Sequence, residues 1–213
     1  MIPGLDIKHY PLSVDELPSG WTISTVSKIA KSVGSGFACG RHNDRGEGIV
    51  HLRPMNVSPD GRIVLDEVKY VVDDSERRVC KGDVLFNNTN SPAWVGKTAV
   101  IDRDGDWGFS NHMTVIRPHK NIHPEFIAQQ LHYLQKSGYF LHKCKNHVNQ
   151  ASVNSDVLAN TVPILVAPTI EQQRIADRID ELFTDLDAGV AALVRVGCDR
   201  RSAGLFCEQK YLG

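Results

Sequence analysis

Three residues near the middle of the chain have the types and spacing for phosphodiester hydrolysis. Pro59-Asp60 followed by Glu67-Val68-Lys69 would bring two carboxylates to a divalent ion and a lysine to the attacking water. A plainer reading exists. Pro-Asp-Gly between short apolar runs is the composition of a hairpin turn, and Glu and Lys alternate readily on a solvent-facing strand. Because the match is short and cheap to obtain by chance, an autonomous metal-dependent nuclease using Asp60, Glu67 and Lys69 stands as the rival reading, not the leading one. The histidines around Cys144 are no stronger. His119, His123, His142 and His147 form no second well-spaced ligand pair, so no metal site is expected.

Asn90-Ser-Pro-Ala-Trp94 resembles the Asn-Pro-Pro-aromatic loop of amino-group methyltransferases, but lacks its second proline in register. No Gly-X-Gly loop follows a strand to hold S-adenosylmethionine, so the chain is not expected to methylate by itself. Cysteines 39, 80, 144, 198 and 207 make no CxxC pair and read as reduced thiols.

What remains is a set of loops whose side chains suit base edges and phosphates. Asn and Gln pair with adenine, Arg and Lys with guanine, and hydroxyls with phosphate. The candidate DNA contacts are Arg41, His42, Asn43 and Arg45, then Asn87, Asn88, Thr89, Asn90 and Lys97, then Asn111 and His112. Lys143, Lys145, Asn146, His147, Asn149, Gln150 and Ser152 complete the set. Some of these amides are expected to bond their own turns instead.

A net charge of −1 conceals a split. Between Arg117 and His147 five Lys/Arg face a single acid, Glu125, and five of the nine histidines fall there. Between Thr169 and Gly197 six acids outnumber three arginines. A basic body and an acidic helix suggest two different partners. With no signal peptide and no transmembrane run, a cytoplasmic protein without membrane association is expected.

The elements that must position these loops are those of an α+β (mixed α/β) domain rich in turns. Leu17-Pro-Ser-Gly-Trp21 reads as a turn ending in an aromatic anchor, with a short helix from about Ser24 to Ala30. Strands are expected over 49–52, 62–65, 83–86, 97–101, 113–116 and 162–166. Pro124 opens a helix to about Lys136 with Phe126, Ile127, Leu131 and Leu134 on one face. A second, long helix starts at Thr169, where a Thr-X-X-Gln capping box with Gln172 is expected. Its apolar residues Ile175, Ile179, Leu182, Leu186, Val190 and Leu193 approach a heptad, so these six are the candidate helix-pairing positions. From Thr169 to Val196 such a helix is about 42 Å long. Three segments follow: a domain over 1–166, the helix over 167–197, and an irregular tail over 198–213 whose glycines disfavour helix.

Several of these motifs fall together in one order. Leu17-Pro-Ser-Gly-Trp21, Gly82-Asp-Val-Leu85, Trp94-Val-Gly-Lys-Thr-Ala99, Asn149-Gln-Ala-Ser-Val-Asn154, Pro168-Thr-Ile-Glu-Gln-Gln-Arg-Ile175 and Ile179-Asp-Glu-Leu-Phe183 together resemble the DNA-specificity (S) subunit of type I restriction-modification systems. The resemblance implies a small twisted-sheet target-recognition domain that reads one half of a bipartite site in double-stranded DNA. It also implies a long coiled-coil helix that sets the gap and docks methyltransferase (M) subunits, with a restriction (R) subunit completing the complex. The chain itself is then a non-catalytic specificity subunit: adenine methylation with S-adenosylmethionine, and cleavage with ATP and Mg, belong to the partners. The usual subunit has two recognition domains and two helices, whereas this sequence has one of each, as in a half-subunit or fragment, which leaves self-pairing through the helix open. An assembly module without DNA readout is the third reading.

Overall fold

In the computed structural model, backbone is described for residues 5, 7–14, 16–72, 75–147 and 150–208, and side chains for these except 145–147, 150 and 196–208. Two compact units divide the chain, Met1–Gln173 and Arg174–Gly213.

The first unit opens with β1 (Thr22–Thr25), α1 (Val26–Ile29) and β2 (Ala30–Ser35). After a long loop come β3 (Ile49–Leu52), a 3-10 turn over Pro54–Asn56, and β4 (Tyr70–Val71). The central run is β5 (Val84–Asn87), β6 (Thr89–Asn90), β7 (Thr98–Val100), β8 (Trp107–Phe109) and β9 (Met113–Pro118). Then follow α2 (Pro124–Lys136), a 3-10 turn over Tyr139–His142, β10 (Lys145–His147), β11 (Gln150–Ser152), α3 (Ser155–Thr161), β12 (Pro163–Val166) and α4 (Thr169–Glu208).

The strands form four small sheets. The largest has the order β2-β9-β5-β7, all antiparallel. Its inner strands are buried along their length at Val84–Asn87 and Met113–Ile116, as expected of strands covered on both faces. On it packs α2, burying Phe126, Ile127, Leu131 and Leu134. A second sheet, β4-β3-β8, joins β3 to β8 in parallel. Leu52, Val57, Leu85, Ile101, Trp107, Phe109 and Met113 share the core between them. A third, β10-β11-β6, ties the 145–152 hairpin to Thr89 and Asn90. The fourth pairs β1 with β12, Thr22 opposite Val166. Trp21 anchors that end: its Nε1 donates to Glu171 at 3.0 Å and its ring meets Phe126 edge-on at 6.1 Å.

Four expectations are corrected. The helix over 24–30 shrinks to the single turn of α1, although Val26, Ile29 and Ala30 are buried as expected. Arg62–Leu65 is not a strand but a bridge between Val57 and Ile63, because Asn56 takes the next groups: its backbone O accepts from Val64 N and its Nδ2 donates to Val64 O. The capping box does not form. Thr169 donates to the Asn121 carbonyl, the Pro168 carbonyl takes the N–H groups of Glu171 and Gln172, and Gln172, 1% exposed, reaches sideways to His123 N at 2.9 Å and Ala167 O at 2.8 Å. Finally, helical backbone continues through Gly197 to Glu208 where an irregular tail is expected from Cys198; each glycine costs a helix only about 1 kcal/mol.

Candidate nucleic-acid interface

The loop between β2 and β3 encloses one wall of a groove of about 840 Å³, lined by Phe37–Asn43, Arg45, Glu47, Val71 and Val72. Asn43 organises it. Its Oδ1 accepts the N–H groups of Arg45 (3.1 Å) and Glu47 (3.0 Å), while Nδ2 donates to the carbonyls of Glu47 (2.9 Å) and Tyr70 (3.2 Å). That amide is fully engaged in shaping the loop and is not open to a base. Arg45 pairs with Glu47 at 3.0 Å on the surface. Arg41 has no side-chain partner among the described residues. His42 Nε2 shares a proton with Nδ1 of buried His51 at 2.8 Å, and His51 leans on Phe37 with ring centroids 4.6 Å apart. Burial, then Arg53 and Lys69, hold the His42 imidazole below its ordinary range against the pull of Asp44.

Close packing fixes the floor. Gly36 precedes Phe37 where a Cβ would lie 1.9 Å from the Phe109 carbonyl oxygen, so only glycine lets β8 approach. Phe37 O in turn accepts from Asn111 N at 3.1 Å. The same turn presents His112, whose carbonyl takes the N–H groups of Asn88 (3.1 Å) and Thr89 (3.2 Å). Backbone bonds thus run from the groove through Asn111 and His112, both exposed, to β6 and β11.

A second cleft, about 540 Å³, lies where Arg53, Met55, Ser58, Asn90, Trp94 and Lys97 meet. Arg53 lies two residues beyond His51, the hydrogen-bond partner of His42 in the first groove, so the cleft and the groove are joined along β3.

The structure separates the sequence-derived residues into exposed and inward-bonded sets. Arg41, His42, Arg45, Asn111 and His112 are exposed, and Thr89, Asn90, Lys143 and Ser152 are partly so. Lys143 lies over the Tyr139 ring at 5.0 Å. Asn87, Asn88 and Lys97 are corrected: they are 0%, 6% and 7% exposed and bond inward. Asn87 Nδ2 donates to Pro54 O at 2.9 Å, Asn88 Nδ2 to Thr114 Oγ1 at 3.0 Å, and the Lys97 ammonium to Val57 O. Lys145, Asn146, His147 and Gln150 are placed as strand backbone only, and Asn149 lies outside the described residues. Arg53 and Met55, which line the second cleft, were not among the sequence-derived candidates. The signal was Arg-Pro-Met-Asn itself, a proline turn with a large apolar residue at its tip.

The hydrolytic arrangement is not assembled. Asp60 faces Arg62 at 3.3 Å in the turn closed by Gly61 N to Ser58 O, and Lys69 pairs with Asp44. Among the described residues no three His, Cys, Asp or Glu side chains converge as metal ligands. Nor is any helix among them long and apolar enough to cross a membrane.

In the second unit Leu182, Leu186, Val190 and Leu193 are 51%, 60%, 52% and 74% exposed, whereas Ile175 and Ile179 are half-buried.

Comparison with known proteins decides the family. The model of the type I restriction modification DNA specificity domain matches residues 18–194, from the turn before Trp21 through the exposed seam. The chain belongs to that family. It is 25% identical over 182 residues to the putative type I restriction enzyme MjaX specificity subunit of Methanocaldococcus jannaschii, covering 82% of this chain and 41% of the relative. With the type I restriction enzyme EcoKI specificity subunit of Escherichia coli it shares 24% over 194 residues, 87% of this chain and 41% of the relative. The chain therefore spans about two fifths of the length of these curated relatives. Its fold matches the HsdS subunit from Thermoanaerobacter tengcongensis with a TM-score of 0.60 at 19% identity, over 85% of this chain and 42% of that one.

Proposed function

We propose that this DNA-specificity domain reads one half of a bipartite duplex target and delivers it to methyltransferase and restriction subunits that carry out the chemistry. The observation that carries the reading is the backbone-linked run from exposed Arg41 and His42 through exposed Asn111 and His112 to half-buried Asn90 and Ser152, rich in donors and cations. Residues 1–166 act as the reader and 167–197 as spacer and docking rod, with Ile175, Ile179, Leu182, Leu186, Val190 and Leu193 as the seam. An exposed row of aliphatic side chains on an acidic helix suits a helical partner better than nucleic acid. S-adenosylmethionine, ATP and Mg belong to the partners, and no membrane is involved.

Phosphate contacts supply affinity and its salt dependence; base contacts supply choice. Assembled with methyltransferase subunits, the Lys143→Glu/Lys145→Glu pair should weaken binding to all duplexes alike and flatten the log–log salt slope by about 2. An unchanged affinity and slope, or a wild-type footprint without sequence-dependent protection, would sink the reading. Magnesium-dependent cleavage by the isolated chain would favour the nuclease instead.

A further inference from the structure

Three buried polar side chains hold a turn whose tip points outward. Met55, 51% exposed, sits in the 3-10 turn Pro54–Asn56. Asn87 donates to Pro54 O from below, and Asn56 Oδ1 accepts the Arg53 N–H at 2.9 Å. The Lys97 ammonium donates to Val57 O and lies 5.5 Å from the centroid of the Trp94 ring. Burial pushes that ammonium below the usual lysine range. Desolvating an ammonium and two amides is a poor route to stability, since apolar packing does the same work at less cost. It does fix position. Met55 and Trp94, the latter 40% exposed, are held on one cleft of about 540 Å³.

Asn90 supplies the polar group of the same cleft. Its Oδ1 accepts the Ser91 N–H at 2.8 Å, which settles the orientation of the amide, because a backbone donor can meet only the oxygen. Its Nδ2 donates to no described residue. Asn90 Oδ1 keeps a second lone pair, so the amide alone does not exclude adenine; the apolar lining does, since adenine's major-groove edge carries no apolar group. The cleft therefore offers one donor beside a thioether and an indole. In the major groove, thymine is the base whose edge sets an acceptor, O4, beside an apolar group, the C5 methyl.

We propose that the Met55–Trp94 cleft, with Asn90 as its donor, selects a thymine of the target duplex: Met55 and Trp94 meet the methyl, and Asn90 Nδ2 donates to O4. This rests on the DNA-reading function above and names one base that the domain selects. Asn87 and Lys97 are then positioning residues that never touch DNA.

The test uses the full chain assembled with methyltransferase subunits. Bound duplexes are selected from a randomised pool, and each thymine of the enriched sequence is replaced singly by deoxyuridine, which deletes the methyl and keeps O4. One position should weaken wild-type binding about fourfold, the worth of about one buried methylene at about 0.8 kcal/mol. Met55→Ala and Trp94→Ala should bind the two duplexes alike. Met55→Gln, of the same length but polar at its tip, should also lose the discrimination, and Met55→Leu should keep it. A wild type that enriches a sequence but ignores every uracil overturns the thymine pocket alone, as does a Met55→Ala or Met55→Gln variant with full thymine preference. A wild type that enriches no sequence overturns the DNA-reading function, and the pocket with it.

Discussion

Asn56 makes three hydrogen bonds from a position 2% exposed, accepting from Arg53 N and donating to the carbonyls of Val64 (2.9 Å) and Glu67 (3.1 Å). Asn56→Ala would leave Arg53 N and Val64 O without that partner in a closed turn, while Glu67 O keeps the Arg53 guanidinium at 3.4 Å, a loss of about 2–3 kcal/mol. The expected result is a lower urea midpoint with an unchanged m value. His132 makes a different prediction. It is 9% exposed on α2, and burial, reinforced by Lys136, holds its pKa below the ordinary imidazole value of about 6.5 against the opposing pull of Asp60. A histidine whose folded pKa is depressed favours the fold while neutral. Its contribution is complete above the unfolded pKa and is lost as pH falls below about 6.5 toward the folded value. Wild-type stability should therefore decline between pH 7.5 and 5.5, and His132→Leu should decline less steeply in denaturant titrations across that range.

At the scale of elements, α4 is 40 residues long, about 60 Å, and Leu182, Leu186 and Leu193 on it are all more than half exposed. Changing Leu182, Leu186 and Leu193 to Ser should leave the thermal transition of the reading unit in place and abolish helix pairing, seen by sedimentation and by loss of methyltransferase co-purification. Retained assembly would mean that the seam is not the contact. This helix was legible because its apolar spacing repeats over many turns. So were β3, β5, β7, β9, β12 and α2, whose apolar runs are long enough to declare themselves. The short strands β4, β6 and β8 were not, because partners distant in sequence hold them, and β10 and β11 form a hairpin of three-residue strands too short to show a period. Gln172 shows the same limit. Thr-X-X-Gln has the composition of a capping box, yet the amide serves His123 and Ala167, contacts that exist only once the fold brings the Asn121–His123 loop alongside. The candidate site was legible by residue type and not by direction: Asn90 and Asn87 are alike in sequence, and it is the β5–β9 pairing, with Asn87 opposite Met113, that holds Asn87 in the core.

For the whole molecule, the division of charge matters more than its total. Under the proposed function, a reader with exposed Arg41 and His42 and half-buried Lys143, joined to an acidic helix, would keep nucleic acid on one unit and protein on the other, since the helix would repel phosphate. Its relatives are more than twice as long, so one copy of this unit can cover only part of what they cover. If two copies pair through α4 with twofold symmetry, each presents the same surface, and the two half-sites must be identical in sequence and inverted. Their separation is then set by the paired helices, at about one turn of DNA, roughly 34 Å, or more. Methylation mapping of DNA from cells carrying this chain and its methyltransferase should accordingly return an inverted repeat with a fixed gap. A bipartite motif with two unlike halves would show that a different recognition domain supplies the second half, and self-pairing through the seam would be excluded as the working assembly.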